Sequence, residues 1–326
     1  MNSRVNQLLN CLNDGEFHSG EALGSTLGVS RAAINQHINK LLELGVDIYS
    51  VHGKGYKLAT PLELLDQQAI CKAAQVNDQN ILVESVVTSS NDSLRDLLTQ
   101  GSLPAGYAVI AEAQTQGRGR RGKRWFSPFG CNLYISFYWP IAEGINGAMG
   151  LSLVAGLSLV KALEQLGVSN AGVKWPNDVY IDNQKVAGIL VELESNTDGS
   201  ANSIIGIGLN LAMPESTGSQ IDQRWTDLRS QLSKPVSRNV ISGCIYREVV
   251  AGLNEFDNNG LQWTRQQWPR YDVYFNKAVT LTMGQRSVIG ICRGIDENGA
   301  VLLETNGNTV RYFGGEISLR ATDVTY

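Results

Sequence analysis

The segment Gln114-Thr115-Gln116-Gly117-Arg118-Gly119-Arg120-Arg121-Gly122-Lys123-Arg124-Trp125 constrains the fold more than any other stretch of the chain. Five cations crowd the seven residues from Arg118 to Arg124, and Gly117, Gly119 and Gly122 fit G-x-G-x-x-G. That glycine pattern belongs to a doubly wound α/β sheet only where a strand precedes it and a helix follows. The apolar run Tyr107 to Ala113 supplies the strand, but Trp125 to Trp139 reads as loop and then strand. The context therefore excludes a dinucleotide fold. An anion cradle remains: glycines let backbone N–H groups approach a negative charge, and Arg118, Arg120 and Arg121 neutralise it with forked hydrogen bonds. A phosphate-bearing small molecule and a nucleic acid both satisfy this reading. No G-x-x-x-x-G-K-[ST] occurs, so a bound nucleotide would not use a P-loop.

Around this loop, Ile81 to Val87 reads as a strand, Thr88-Ser89-Ser90-Asn91 as a polar turn, and Asp92 to Gln100 as a helix built on Leu94, Leu97 and Leu98. The turn gathers hydroxyl and amide groups suited to a small polar ligand, although serine and asparagine before a helix commonly serve as caps. Gly147 to Gly167 reads as a buried helix, apolar on most faces. Val173 to Ile181, the turn Asp182-Asn183-Gln184 and Lys185 to Leu193 read as a hairpin, with Ser203 to Leu211 as a further strand. On pattern alone Lys185 is a solvated turn residue. Helices set among strands that return by hairpins argue for an α+β domain with a mixed or antiparallel sheet.

The first sixty residues have a different period. Val5, Leu8, Leu9 and Leu12 recur at helical spacing, Ser19 and Ser30 are placed to cap two more helices, and Gly28 turns the chain between them. Val46, Ile48 and Ser50 then alternate into Gly53-Lys54-Gly55, Tyr56 and Leu58, a hairpin wing on a helix-turn-helix. In the DNA-binding form of this unit the third helix enters the major groove. Ser30, Arg31, Asn35, Gln36 and Lys40 are then candidate DNA contacts, with Lys54 near phosphate. The competing reading is a unit that only packs on its neighbour. Residues 1 to 60 hold five cations and five acids, so charge does not decide, and a single neutral copy would bind DNA weakly. A dimer on paired half-sites is the expected binding form. Thr60-Pro61 breaks the pattern, and Leu62 to Ala74 is expected to resume as helix.

At 326 residues the chain exceeds one ordinary core, and 43% hydrophobic with 18% charged residues describes a globular protein of net charge −4. Cysteines 11, 71, 131, 244 and 292 form no C-x-x-C pair and read as reduced thiols. The first twelve residues lack a secretory leader's pattern, and Ala148 to Val160 is too short to span a bilayer, so a cytoplasmic location without membrane contact is expected. Arg238 to Phe256 and Leu261 to Arg270 read as helices. From Lys277 short strands surround Met283-Gly284, Asn298-Gly299 and Asn306-Gly307 turns, the pattern of a small SH3-like barrel.

Gly117 to Gly122, Lys174-Trp175-Pro176-Asn177-Asp178, Lys185 with Ala187-Gly188-Ile189-Leu190, and Gly208-Leu209-Asn210 together resemble the biotin protein ligases. With the winged helix in front and the β domain behind, nearly the full length is similar to the bifunctional bacterial ligases that also repress biotin genes. The resemblance implies three domains: a winged helix-turn-helix over residues 1–64, a class II synthetase-like catalytic domain over 65–271 and the SH3-like domain over 272–326. It implies that ATP with Mg2+ activates biotin to biotinoyl-AMP, and that a lysine of the biotin carboxyl carrier protein of acetyl-CoA carboxylase then takes the acyl group.

The same resemblance assigns residues. Ser89, Ser90, Asn91 and Gln114 would contact biotin, with Arg118, Gly119 and Arg120 over biotin and the acyl phosphate. Lys185 would pair with the carboxylate or the bridging oxygen, which reverses its reading as a turn residue. Lys174, Asn177, Asp178 and Asn210 would surround the nucleotide, Asp178 would support Mg2+, Trp225 would stack on adenine, and Arg320 would reach toward it. Operator DNA and a homodimer loaded with biotinoyl-AMP complete the expected partners. A biotin-sensing transcription factor without ligase activity and a lipoate-type ligase are the alternatives.

Overall fold

Hydroxyl caps decide where the first helices begin. The computed structural model describes residues 3–144, 148, 150–313 and 317–321, and the side chains of residues 3, 4, 216 and 317–321 fall outside that description. Helices α1 (Ser3–Leu12), α2 (Gly20–Leu27) and α3 (Arg31–Glu43) follow in turn. Ser19 Oγ accepts from Ala22 N–H, Ser30 Oγ accepts from Ala33 N–H, and Gly28 closes α2 at φ 65° in the left-handed region that glycine tolerates. Leu8, Leu12, Leu23, Ile34, Ile38 and Leu41 fill their shared core. Strands β1 (Ile48–Val51) and β2 (Gly55–Leu58) pair antiparallel as the expected wing.

The helix anticipated over residues 62–74 begins only at α4 (Gln67–Ala74). Residues 62–66 stay extended because their polar groups are already taken. Leu62 exchanges hydrogen bonds with the Asn13 amide at 2.7 and 2.9 Å, Leu65 N–H donates to Glu112, and Asp66 caps α4 through Ala69 N–H.

The chain then builds β3 (Ile81–Val87), α5 (Ser90–Gln100), β4 (Ala108–Gln114), β5 (Leu133–Ile141), α6 (Leu151–Gln165), β6 (Ala171–Lys174), β7 (Asp178–Ile181), β8 (Gln184–Ser195) and β9 (Ala201–Leu209). The seven strands form one sheet in the order β3-β4-β5-β9-β8-β7-β6, parallel between β3 and β4 and antiparallel elsewhere. The expected start of α6 at Gly147 lies outside the described residues. The strand anticipated from Val173 to Ile181 is two strands: the chain reverses at Trp175-Pro176-Asn177, with a cis Trp175–Pro176 bond, so β6 and β7 are themselves a hairpin. Proline cannot donate to a ladder, which explains the break. Asp182 and Asn183 both take positive φ, the geometry of a two-residue turn between β7 and β8.

Beyond α7 (Glu215–Gly218), the long α8 (Arg238–Asn259) and α9 (Gln262–Tyr271) pack with α6 on one face of the sheet. Ile205, Ile207 and Leu209 of β9 point into that layer, and each fully buried aliphatic side chain is worth roughly 1.5–3 kcal/mol over exposure. Strands β10 (Ala278–Met283), β11 (Arg286–Ile295), β12 (Val301–Thr305), β13 (Asn308–Tyr312) and β14 (Ile317–Ala321) form a five-stranded antiparallel domain in the order β13-β12-β11-β10-β14. The architecture is the expected α+β one. Among the described residues all cysteines are free, and no helix is long and apolar enough to cross a membrane.

Candidate functional site

Side-chain alternation on β9 creates the site. While Ile205, Ile207 and Leu209 face the helices, the intervening positions are Gly206 and Gly208, and Gly188 of β8 pairs directly with Gly208. Strand glycines lying side by side leave a shallow floor on the opposite face. Two side chains rest on it. A Cβ on Gly206 would stand 2.4 Å from Asn91 Oδ1, and one on Gly208 would stand 2.4 Å from the Trp125 indole.

The wall beside this floor is the start of α5. Ser89, Ser90 and Asn91 are buried, and Ser90 N–H and Oγ both donate to Gln114 Oε1, at 2.8 and 3.1 Å. Ser136 Oγ lies 2.7 Å from Ser90 Oγ and 2.6 Å from Asn91 Oδ1, while Gln114 Nε2 donates to Ser127 at 2.9 Å. The structure thus brings Ser90, Asn91 and Gln114, three of the four residues expected around biotin, into one hydrogen-bonded group, with Ser89 buried beside them as the residue before α5. Such a cluster fixes the orientation of a small polar ligand by geometry rather than by charge.

Charge comes from the loop. Its own backbone closes it into a small excursion: Gly119 N–H donates to Lys123 O, and Trp125 N–H to Gly117 O. Arg121 and Gly122 turn it at φ 57° and 70°. Arg118 does not stand free toward an anion. Its guanidinium donates to both oxygens of Asp92, at 2.5 and 2.7 Å, and to both of Glu192 at 3.2 Å. The hydrogen bond from Arg118 holds the Asp92 carboxyl below its ordinary range. Burial pushes Glu192 up, but donors on Arg118, Asn91 and Arg95 outweigh it. Arg120 reaches the other way and donates to Asn177 Oδ1 at 3.0 Å; burial, then repulsion from Arg121, lowers its guanidinium below its ordinary value.

At the far end of the floor, Lys185 Nζ pairs with Asp178 at 2.7 Å and lies 5.4 Å from the Trp125 ring centre, with the two charged side chains only 13% and 18% exposed. The β7–β8 register makes this meeting. Asn210 is buried, and its amide donates to Thr226 O, but Oδ1 has no hydrogen-bond partner among the described residues. Trp125 Nε1 is buried and unpartnered in the same sense. Buried groups of this kind cost stability unless a ligand or water completes them. Lys174 points along β6 to Tyr180, 3.0 Å from its hydroxyl. Trp225 bridges beside Lys185 but turns its indole onto α7, donating to Gly218 O at 3.0 Å. The Arg320 backbone pairs with Thr280, and its side chain lies outside the described residues.

Residues 83–210 match the model of the Biotin/lipoate A/B protein ligase family, residues 4–57 that of an HTH domain, and residues 274–320 the Biotin protein ligase C terminal domain. The bifunctional ligase/repressor BirA of Escherichia coli (strain K12) is 44% identical over 317 residues, 97% of either chain. The chain belongs to the bifunctional biotin ligase/repressor family. Biotin--[acetyl-CoA-carboxylase] ligase of Mycobacterium tuberculosis is 30% identical over 71% of this chain and 87% of that one. The biotin protein ligase of Aquifex aeolicus, solved in complex with biotin and ATP, superposes with a TM-score of 0.64 at 30% identity, covering 74% of this chain and 99% of the other.

Several residues of the site are absent from the sequence reading. In the sequence Trp125 only ends a basic run, whereas in the fold it roofs the glycine floor; the spacing Gly188, Gly206, Gly208 is the signal that points to it. Asn132 Oδ1 accepts from Leu211 and Ala212 N–H, next to Asn210. Glu112, two residues before Gln114, forms a buried ion pair with Arg238 at 2.9 Å, and Arg238 also donates to Asn132 O and Glu63 O. On the winged helix, Arg31, Asn35, Gln36, Lys40 and Lys54 are exposed, whereas Ser30 spends its hydroxyl on the α3 cap. The end of α3 abuts the segment after the loop: Phe129 N–H donates to Leu44 O at 2.8 Å, and Phe129 lies in the winged-helix core.

Proposed function

We propose that this chain is an ATP-dependent biotin protein ligase and a biotin-responsive repressor. The observation that carries the reading is the glycine floor, flanked by a neutral hydrogen-bonding wall at one end and by Lys185, Asp178 and the orphaned Asn210 carbonyl at the other. The neutral wall of Ser89, Ser90, Asn91 and Gln114 suits the uncharged ring system of biotin. Its carboxylate then lies toward Lys185 and the loop.

The first step joins two anions. A carboxylate oxygen attacks the α-phosphorus of ATP, the bond to the β-phosphate oxygen breaks, and pyrophosphate leaves. Fixed cations make this approach feasible: Lys185, Arg118 and Arg120 hold the carboxylate and acyl phosphate in line, and Gly119, without a side chain, lets the loop backbone lie close over them. Lys174, Asn177, Asp178, Asn210, Trp225 and Arg320 are assigned to the nucleotide. In the second step the carrier lysine nitrogen attacks the acyl carbon, loses a proton, and AMP departs. No nucleophile of this chain is needed.

Asp178 is the carboxylate assigned to Mg2+. Among the described residues no group of three acidic, histidine or cysteine side chains is placed to hold a metal. One carboxylate fits an ion that keeps its waters and binds mainly through substrate phosphates. Bound with ATP, Mg2+ would neutralise part of the triphosphate charge. Exchange of Lys185 from Asp178 to the reacting oxygen is what this chain contributes.

The domains are assigned as residues 1–64, 65–271 and 272–326. The exposed face of Ser30, Arg31, Asn35, Gln36 and Lys40, with Lys54 on the wing, is assigned to operator DNA of biotin genes, bound by a dimer loaded with biotinoyl-AMP in the cytoplasm. The acceptor is the carrier protein of acetyl-CoA carboxylase. Mass spectrometry of a carrier domain incubated with the protein, biotin and ATP tests the enzyme: a single added biotinoyl group is expected, and none would leave only a sensor. Replacing biotin by lipoate separates a lipoate-type ligase. A footprint on operator DNA that does not change with biotin and ATP would refute the repressor half.

A further inference from the structure

We propose that Asp92 is a positioning residue: it latches the Gly117–Gly122 loop over the small-ligand site by holding Arg118. This rests on the reading of that loop as the cover of biotinoyl-AMP. Gly119 and Trp125 spend backbone N–H groups inside the excursion, and Arg121 to Arg124 are exposed. Arg118 and Arg120 both cross from the loop to other elements, Arg120 to Asn177 and Arg118 to two carboxylates.

The Arg118 attachment is forked. Both Asp92 oxygens face its two terminal nitrogens, the forked pairing that fixes a guanidinium plane as well as its position. Asp92 sits in the first turn of α5, directly after Ser90 and Asn91, so the loop is tied to the turn that forms the ligand wall. Glu192 adds a second anchor from β8, and Asn91 donates to that same carboxylate at 3.0 Å.

Two carboxylates facing one arginine would repel each other. Arg95, one turn along α5, answers this by donating to Asp92 at 2.7 Å, Glu192 at 3.0 Å and Glu194 at 2.5 Å. The carboxylates are thereby oriented before any ligand arrives. Such a latch would keep a mixed anhydride under cover, away from water and stray amines. The rival arrangement, in which Asp92 merely occupies Arg118 until an anion displaces it, makes the opposite prediction for ligand retention.

The loop contains five trypsin sites between Arg118 and Arg124, which makes it its own reporter. In the full-length, ligand-free protein, Asp92→Asn should speed cleavage there about fivefold, a modest factor because the pair is about one-third exposed to solvent. After one turnover with biotin and ATP, biotinoyl-AMP should leave Asp92→Asn about tenfold faster, with label appearing on added free lysine. Asp92→Glu should restore both readouts in part, and Glu192→Gln, which weakens the second anchor, should loosen the loop in the same direction. Circular dichroism confirms that each variant is folded. Unchanged cleavage and release in Asp92→Asn would overturn the latch, and so would slower release. Failure of the wild-type protein to make adenylate would instead defeat the ligase reading, while the digestion still decides the latch.

Discussion

Gly208→Ala is the substitution whose outcome follows most directly from the geometry. A Cβ at this position lies 2.4 Å from Trp125 Cε2 and Nε1 and 2.7 Å from Cζ2. The backbone cannot yield, since Gly208 sits in a central strand paired with Tyr134 on one side and Gly188 on the other. The indole must therefore move by about 1 Å or more to regain ordinary carbon contact near 3.5 Å. Overpacking of this kind costs roughly 1–3 kcal/mol. In a catalytic domain of this size that lowers the melting temperature by about 2–12 °C, at roughly 2–4 °C per kcal/mol. Biotin affinity should fall with it, because the displaced indole no longer roofs the floor.

The decisive assay is a double-mutant cycle with Trp125→Ala, read by urea denaturation. With the indole gone the methyl group has room, so Gly208→Ala should cost little stability in that background. Losses that add to within about 0.5 kcal/mol would refute the clash. Gly188→Ala provides the scale, since its Cβ would meet Trp125 at 3.1 Å and the flexible end of Lys185 at 3.2 Å, and should be the milder change.

Lys185→Ala should abolish adenylate formation, and pyrophosphate release equal to wild type would remove Lys185 from the chemistry. Arg238→Met strands Glu112 in a site where both charges are about 5% exposed, and should cost about 3–5 kcal/mol in denaturation; a companion Glu112→Gln should recover part of the loss. The Asp92 carboxyl is depressed, chiefly by Arg118, so its stabilisation is complete above the unfolded value of about 3.9 and fades as pH falls through the lower folded value. The stability difference between wild type and Asp92→Asn should be flat from pH 7 to about 5 and shrink below about 4, and a gap that widens in acid would contradict the ion pair.

Local features carried much of this fold in the sequence. The caps at Ser19 and Ser30, the wing turn at Gly53 and the strand on either side of the glycine-arginine loop depend on neighbours a few residues away. The β6–β7 reversal is equally local, signalled by Pro176 and Asn177, although Val173 to Ile181 otherwise reads as one strand. What could not be read was pairing at a distance. Lys185 looks like any hairpin lysine until β7 brings Asp178 to it, and Arg118 looks like a free anion ligand until Asp92 and Glu192, 26 and 74 residues away, close on it. Glu112 and Arg238 stand 126 residues apart, and nothing near either one announces the other.

The contact between Leu44 O and Phe129 N–H joins the end of α3 to the stretch of chain that carries the loop back into β5. A joint of this kind has no preferred direction. Whatever free energy ligand binding beneath residues 117–124 adds to operator affinity, operator DNA must return in full to ligand affinity. A copy resting on DNA would then lose its adenylate more slowly than a copy in solution. Repression would acquire a memory, its length set by the lifetime of one bound molecule and not by the biotin concentration of the moment.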